Sequence, residues 1–525
     1  MAGSNPTISK LFDEQVRRHP EATALMHGNR KLTYREISGR VNQLARYLQR
    51  FGVGPEIRVA ICAERSFETS ALLLAIIKAG GAYVPIEPTF PPKRTAGILA
   101  SAGARLLIAQ MRSPAFDSFK SKILLLPEHE AAISRESAAE FDQSGDTRNL
   151  IAVLFTSGTT GEPKGIAIPM SAAMNQIDVM WNHCAFQSSD VSLLHRSFTV
   201  IGSLWENFGP LVHGIPSMIL SGDDARDPAT IWACLAEKKI THFVLTPALA
   251  NHLIRYGERH HLRSACLRFS MMYGEPVQYQ TIARWNLVFP NSRLYICYGT
   301  TEASYIAMLD TSQLQGEETR LPAGPTFHKG AVRIVSETMD LVEEGAGEIC
   351  VASGRIARGY LNDPQLTAER FIPDPWAASP GEVLYRTGDL GRWKPGAILE
   401  MLGRVDRQIK VHGFRVELDE IEAALLRVSG APNTAVLVLD DAQQRKVLVA
   451  YLETSDSIDS EALRNQLRRV LPEYMLPSFF VAMNSFPLTS SGKLDRRSLP
   501  EPSGLRSMYQ NAKSPVQQTA TGVAM

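Results

Sequence analysis

The first part of the chain alternates short apolar runs with stretches whose apolar residues recur at helical spacing. Residues 41–48 place Val41, Leu44, Ala45 and Leu48 on one face, as an amphipathic helix requires. Val59-Ala60-Ile61-Cys62 is an apolar run of strand length, and residues 70–78 follow it as a helix. From Ile151 the chain runs through apolar residues into Thr-Ser-Gly-Thr-Thr-Gly, so a strand is expected to end in a polar, glycine-rich loop. A polar break at 221–228 precedes a helical pattern at 231–238 and a strand-like run at 241–245. Such alternation is the pattern of α/β layering.

After about residue 402 the texture changes. Residues 408–411 and 435–439 read as strands of one small sheet, and 418–428 and 460–470 as its helices. Residues 471–477 form a proline-bounded connector, and Ser490-Ser491-Gly492-Lys493 a tight polar loop. Beyond Pro502 the tail is rich in Gln, Ser, Ala and Thr and is expected to be disordered. The expected organisation is α/β: a large N-terminal multi-sheet domain over 1–402, a hinge at 403–408, a small mobile α+β domain over 409–500, and a tail at 501–525.

Composition narrows the class without naming a chemistry. The 525 residues suit several domains and a large core. With 55 basic and 54 acidic side chains the formal charge is +1, too small to favour nucleic acid or an anionic membrane. The longest uncharged apolar stretches fall far below the ~20 residues that span a bilayer, and residues 1–6 lack a basic-then-apolar leader pattern. The 6 cysteines lie far apart with no Cys-x-x-Cys, which fits a reduced, cytoplasmic protein without disulfides or a zinc site.

Several short stretches carry candidate chemistry. In Thr156-Ser157-Gly158-Thr159-Thr160-Gly161-Glu162-Pro163-Lys164-Gly165, glycines free backbone N–H groups to face an anion, hydroxyls add donors and Lys164 adds charge, a set suited to a polyphosphate. A mobile surface loop is the plainer alternative, and the Walker pattern is absent. Cys297-Tyr298-Gly299-Thr300-Thr301-Glu302 offers an aromatic face for a purine and a carboxylate for Mg²⁺. In Tyr385-Arg386-Thr387-Gly388-Asp389-Leu390, an Asp beyond a tight turn can accept both hydroxyls of a ribose. Gly403-Arg404-Val405-Asp406-Arg407-Gln408-Ile409-Lys410 puts charge at the domain junction, and Lys493 is a cation on a loop. Taken singly, a satisfied strand-end Glu, an ordinary turn Asp and a solvated Lys account for these stretches more simply.

Together, in this order and spacing, they resemble the adenylate-forming superfamily, in particular the adenylation domains of nonribosomal peptide synthetases. The resemblance runs from about residue 8 to 500. It includes Leu32-Thr33-Tyr34-Arg35-Glu36-Ile37, Lys78-Ala79-Gly80-Gly81-Ala82-Tyr83, Ala357-Arg358-Gly359-Tyr360, Gly413-Phe414-Arg415-Val416-Glu417, Leu471-Pro472-Glu473-Tyr474-Met475-Leu476-Pro477 and Leu488-Thr489-Ser490-Ser491-Gly492-Lys493-Leu494-Asp495.

The resemblance implies activation of a carboxylic acid by ATP and Mg²⁺ to an acyl-adenylate, then transfer to a phosphopantetheine thiol. Residue by residue, it assigns Thr156 to Gly161 and Lys164 to the β- and γ-phosphates, and Tyr298 and Gly299 with Gly274-Glu275-Pro276 to adenine. Thr301 completes the nucleotide set, Asp389 and Arg404 take the ribose, and Glu302 holds Mg²⁺. Lys493 bridges the acid carboxylate and the α-phosphate, Asp406 matches the hinge, and the face at 410–413 lines the thiol's path after the small domain swings. Thr300 and Ser491 stand where the family commonly has Pro and Asn, and both keep turn-compatible residues.

The acid pocket departs further. Amino-acid-activating members carry an Asp that binds the substrate ammonium shortly before Ser-x-Trp-Glu. Counting back from Ser203-Leu204-Trp205-Glu206 puts Ile201 at that place. An ammonium buried against Ile loses hydration without a counter-charge, so the expected substrate lacks an α-amino group. A slipped register or a substitute carboxylate is the alternative. The other transferred positions are Gly202, Trp205, Val244, Met271, Tyr273, Cys297, Tyr305 and Ile306, none of them charged. The rest of the acid is therefore expected to be neutral, with at most a hydroxyl or carbonyl meeting Tyr273 or Tyr305. Gly202 is expected to leave room beside the α-carbon, which fits a 2-oxo, 2-hydroxy or compact aryl acid.

No carrier-protein signature follows Lys493, where about 30 residues remain. A freestanding or excised enzyme that meets its carrier protein in trans is expected, with coenzyme A the rival acceptor. The motif wording favours the carrier. A catalytically silent binding homologue is opposed by the presence of Glu302, Asp389, Arg404 and Lys493.

Overall fold

The computed structural model describes residues 6–141, 145–158, 163–314, 321–327, 330–352, 354, 356–377, 379–411, 413–441, 446–487 and 494–502. Thr159, Thr160, Gly161, Lys493 and the tail beyond Pro502 lie outside the described residues. The chain divides into two compact units, one ending at Val416 and the other beginning at Glu417. The expected hinge at 403–408 precedes this division. Residues 408–416 stay with the first unit because Lys410, Gly413 and Arg415 are hydrogen-bonded to Gly299, Glu275 and Glu302.

Helices and strands form where local chemistry asks for them. Helix Tyr34–Gln49 is opened by a reciprocal capping box between Thr33 and Glu36, which satisfies donors that a helix start leaves bare. Its Val41, Leu44, Ala45 and Leu48 are all buried, as the spacing predicts. Helix Phe67–Lys78 follows strand Arg58–Cys62, and helix Pro228–Glu237 precedes strand His242–Leu245. Strand Leu150–Thr156 is buried along its apolar length until Thr156, where the polar loop begins.

Three sheets build the first unit. One has the order Gly359–Tyr360, Lys164–Pro169, Leu150–Thr156, Ala82–Ile86, Arg58–Cys62, Leu106–Ala109, Lys122–Leu125, parallel from Leu150–Thr156 onward. A second runs Ser304–Asp310, Arg293–Thr300, Phe269–Tyr273, His242–Leu245, Ser192–Leu194, Ser217–Ile219, Thr23–His27, Arg30–Thr33. Its interior strands are parallel, so loops at their carboxyl ends gather on one edge, where α/β sheets bind ligands. The third is antiparallel and pairs Val383–Lys394 with Ile398–Arg404. The largest core lies between the first two sheets and includes Trp205, Met271 and Ile306.

The second unit is a small α+β body. Strands Thr434–Asp440, Lys446–Glu453 and Phe479–Met483 form its sheet, with helices Leu418–Ser429 and Ser460–Leu467. Gln408–Val411, expected in that same sheet, instead pairs with Phe414–Glu417 in a separate two-stranded ribbon. The tight return through Gly413, whose φ of 81° suits glycine, lets the ribbon close on itself. No helix among the described residues is long and apolar enough to cross a membrane.

Candidate active site

The glycine-rich segment joins two antiparallel strands, with Thr156 opposite Lys164. Ser157 is buried, and its Oγ donates to the Arg415 carbonyl at 2.6 Å. Gly158 is buried beside it. Arg415 Nη1 in turn donates to Glu302 Oε1 at 2.6 Å, and Tyr360 Oη donates to the same oxygen at 2.7 Å. The fold thereby links the start of the glycine loop to the expected metal carboxylate, which lie far apart in sequence. Burial alone would raise the Glu302 pKa, but the Arg415 guanidinium and the Tyr360 hydroxyl outweigh it and hold the carboxyl below its usual range.

Glu302 Oε2 is buried with no hydrogen-bond partner among the described residues. Those residues contain no cluster of three or more His, Cys, Asp or Glu able to cage a metal. A single open carboxylate oxygen fits Mg²⁺, which keeps several waters and takes its remaining ligands from nucleotide phosphates.

A second network holds the expected base and ribose residues. Strand Arg293–Thr300 bulges between Tyr298 and Gly299 opposite Ser304–Asp310. A Cβ on Gly299 would overlap the Ser304 carbonyl, so only glycine fits this close approach. The half-buried Tyr298 donates its hydroxyl to Asp389 Oδ2 at 2.6 Å. Burial and the adjacent Asp389 charge push that phenol well above its usual pKa, so it remains a donor. Arg404, the register partner of Asp389, pairs with Asp389 Oδ1 and reaches Asp406 Oδ1 from Nε at 2.6 Å. Asp406 also lies 3.8 Å from Arg370. Tyr298, Asp389, Arg404 and Asp406 thus form one chain of partners, with each charge compensated. Thr301 is half-buried beside Glu302.

Gly274 and Glu275 follow strand Phe269–Tyr273, with exposed Pro276 after them. Gly274 has φ 93°, and a Cβ there would lie 3.3 Å from the Gly413 Cα. Gly413 N donates to Glu275 Oε1 at 2.8 Å, while Lys410 Nζ donates to the Gly299 carbonyl at 2.9 Å. Burial lowers the Lys410 pKa, with Asp389 acting against that shift. The 408–417 ribbon is therefore anchored across the expected nucleotide residues. Within its sequence motif Arg415 has no role of its own; the available signal is a charged residue between Phe414 and Val416.

The acid-pocket positions come together on adjacent strands. Val244 pairs with Met271, and Tyr273 with Cys297, in parallel register. Tyr305 and Ile306 belong to the neighbouring antiparallel strand Ser304–Asp310. Val244, Met271, Cys297, Tyr305 and Ile306 share one core, against which Ile201 and Tyr273 pack half-buried. Burial pushes the Tyr273 pKa up to about 12. Trp205 is 1% exposed and stacked on Phe186 at 5.2 Å, so it serves as a packed wall.

Two expectations about this pocket are corrected. The first is that it lacks charge. Arg196 follows strand Ser192–Leu194, is 5% exposed, and lays its Cζ 3.8 Å from the Tyr273 ring centroid. The second is that Gly202 leaves open room: a Cβ there would overlap Arg196 Nη1, so the guanidinium occupies that space. Glu206 offers no free carboxylate to an ammonium. Its Oε1 accepts from Arg196 Nε at 2.6 Å, and its Oε2 accepts the backbone N–H groups of His195 and Arg196 at 3.3 and 3.1 Å. Arg196 stands five residues before Ile201, outside any motif; the available signal was a lone Arg ending a buried apolar strand.

Two antiparallel strands flanking the glycine-rich segment, tied through Arg415 to the buried Glu302 and near the expected acid-binding positions at parallel strand ends, have the layout expected of an adenylate-forming ligase. The comparisons with known proteins agree: the chain belongs to the AMP-binding enzyme family, whose model matches residues 12–361, and the AMP-binding enzyme C-terminal domain matches residues 420–493. It is 34% identical over 512 residues to gramicidin S synthase 2 of Brevibacillus brevis, covering 97% of this chain and 11% of that protein. The chain thus spans about a tenth of the length of that curated relative. Among solved structures it resembles an NRPS protein containing adenylation and PCP domains, bound to a vinylsulfonamide inhibitor. The TM-score is 0.78 with 25% identity, over 94% of this chain and 83% of that one. An artificially fused adenylation-PCP di-domain NRPS from Klebsiella oxytoca shares the fold, with TM-score 0.79, 23% identity, and 92% and 95% coverage. The chain is an adenylate-forming ligase of the AMP-binding enzyme family, similar over most of its length to an NRPS protein containing adenylation and PCP domains.

Proposed function

We propose that this ligase activates a carboxylic acid lacking an α-amino group and passes it to the phosphopantetheine thiol of a carrier protein. An oxygen of the acid carboxylate attacks the α-phosphorus of ATP, the bond to the bridging β-phosphate oxygen breaks, and pyrophosphate leaves with the electron pair. The thiol sulfur then attacks the acyl carbon, AMP departs, and the thiol proton passes to solvent.

In this proposal Thr156, Ser157, Gly158, Thr159, Thr160, Gly161 and Lys164 hold the outer phosphates, Tyr298 and Gly299 with Gly274, Glu275 and Pro276 bound the base, and Asp389 with Arg404 takes the ribose. The open Glu302 oxygen would hold Mg²⁺, which neutralises phosphate charge when bound. Lys493 offsets charge as the two anionic oxygens meet. Asp406 is the proposed hinge.

The observation that carries the substrate reading is Ile201 beside a fully committed Glu206. A buried ammonium there would meet an alkyl side chain and a guanidinium, with no free counter-charge among the described pocket residues. ATP–pyrophosphate exchange over matched 2-amino, 2-hydroxy, 2-oxo and aryl acids tests this. Faster exchange with the non-amino acids is expected, and a clear preference for the amino set overturns the reading.

A further inference from the structure

Arg196 is buried, yet its donors are only partly used. Nε is committed to Glu206, whereas Nη1 and Nη2 have no hydrogen-bond partner among the described residues. The guanidinium stacks over the Tyr273 ring, with Cζ 3.8 Å from its centroid. Nη1 lies against Gly202, which adjoins Ile201. A buried donor without an acceptor is costly, and a ligand that supplies one removes the penalty.

We infer that Arg196 is a specificity-determining residue whose Nη groups bind an acceptor oxygen on the α-carbon of the acid, making the preferred substrate a 2-oxo acid. This rests on the proposed function, since it names the class of acid taken by the same pocket. A guanidinium only donates, and a keto oxygen only accepts, so every contact between them pairs a donor with an acceptor. A 2-hydroxyl also accepts but must place its own hydrogen elsewhere. An unsubstituted α-carbon leaves both Nη groups bare, and an α-ammonium brings a second cation. A second carboxylate, as in a malonate-type acid, suits the fork of Arg. However, Glu206 already neutralises Arg196, so that group would bury net negative charge next to the reacting carboxylate. The expected order is 2-oxo, then 2-hydroxy, then unsubstituted, then 2-amino.

The test uses the whole chain and pyrophosphate exchange on two skeletons. One set is 4-methyl-2-oxopentanoate, its 2-hydroxy and unsubstituted analogues, isobutylmalonate and leucine. The other is phenylpyruvate, 3-phenyllactate, 3-phenylpropanoate and phenylalanine. On the skeleton turned over faster, kcat/KM for the 2-oxo acid should exceed that for the unsubstituted acid by about 100-fold or more. Arg196→Met should raise the KM of the 2-oxo acid about 100-fold and lower the ratio of 2-oxo to unsubstituted acid by a similar factor; Arg196→Lys should recover part of the loss. Because Arg196→Met strands the Glu206 charge, the double variant Arg196→Met with Glu206→Gln is measured alongside it, with thermal melting as the folding control.

Equal losses for every acid, or an unchanged ratio of 2-oxo to unsubstituted acid in the double variant, would overturn the role of Arg196. Preference for isobutylmalonate would overturn the keto assignment. Preference for leucine or phenylalanine in the unmutated enzyme would instead overturn the proposed function, whether or not the ratio responds to Arg196.

Discussion

The proposed nucleotide side and the proposed acid side of this site differ in how far their polar groups are matched before any ligand arrives. Tyr298, Asp389, Arg404 and Asp406 form a chain in which every charge has its counter-charge. Around Glu302, Tyr360 and Arg415 compensate the carboxylate before any ligand arrives. Beside the expected acid-binding positions, Arg196 is buried but keeps two nitrogens without acceptors among the described residues. The charge-compensated network, which leaves Glu302 Oε2 open, would preorganise groups for the nucleotide that the proposed function assigns to it. The unsaturated one makes pocket stability depend on which acid arrives, and discrimination needs that dependence.

If this contrast holds, variants on the nucleotide side should slow all acids alike, and variants on the acid side should reorder them. The largest effect is expected for Lys493→Ala. Pyrophosphate exchange should fall by roughly 10²–10³ for every acid, while transfer from preformed acyl-adenylate to a carrier thiol is retained. Equal loss of both half-reactions would remove Lys493 from its proposed role. Next, Asp389→Asn should raise the KM of ATP about 10–100-fold, as loss of charge-assisted hydrogen bonds implies. It should leave the ranking of acids intact; a changed ranking would break the separation between the two sides.

On the acid side, Ile201→Asp supplies the missing counter-charge. It should shift the amino-to-oxo ratio of kcat/KM by about tenfold or more toward amino acids, even if overall rates fall. The Arg196 guanidinium nearby opposes a complete switch, because it competes for the new carboxylate.

The smallest effect is thermodynamic. Arg415 and Tyr360 overcome burial to depress the Glu302 pKa, so its ionised form contributes stability in the folded state. That contribution is complete above the usual glutamate range near ~4.3 and is lost as pH falls further through the depressed folded value. The melting temperature of Glu302→Gln should therefore fall less steeply on acidification than that of the unmutated protein. Parallel acid limbs in thermal melts would show that the Arg415 pair contributes no linkage.

The legibility of the sequence follows the same division. The Tyr298-Gly299 bulge and the Asp389 strand use local backbone geometry, so their residues stand together and can be read as motifs. Helix Tyr34–Gln49 and strand Leu150–Thr156 were legible for the same reason: periodicity and capping are local. Val244, Met271, Tyr273 and Cys297 fall on neighbouring strands because parallel register aligns them. Arg196 escaped because its contact with Gly202 arises only when a strand end folds back over the next helix. The place of strand Gln408–Val411 escaped because pairing partners, unlike strand propensity, are set by the turn at Gly413.

The proposed function and the role proposed for Arg196 together require preference for an oxygen over an ammonium on the α-carbon of the acid. That preference is tested most directly by offering the unmutated enzyme ATP with equal concentrations of a 2-oxo acid and the 2-amino acid of the same skeleton, then quantifying both acyl-adenylates by mass spectrometry. The account predicts that the 2-oxoacyl-adenylate dominates by about 100 to 1 or more; an excess of the aminoacyl-adenylate would contradict it.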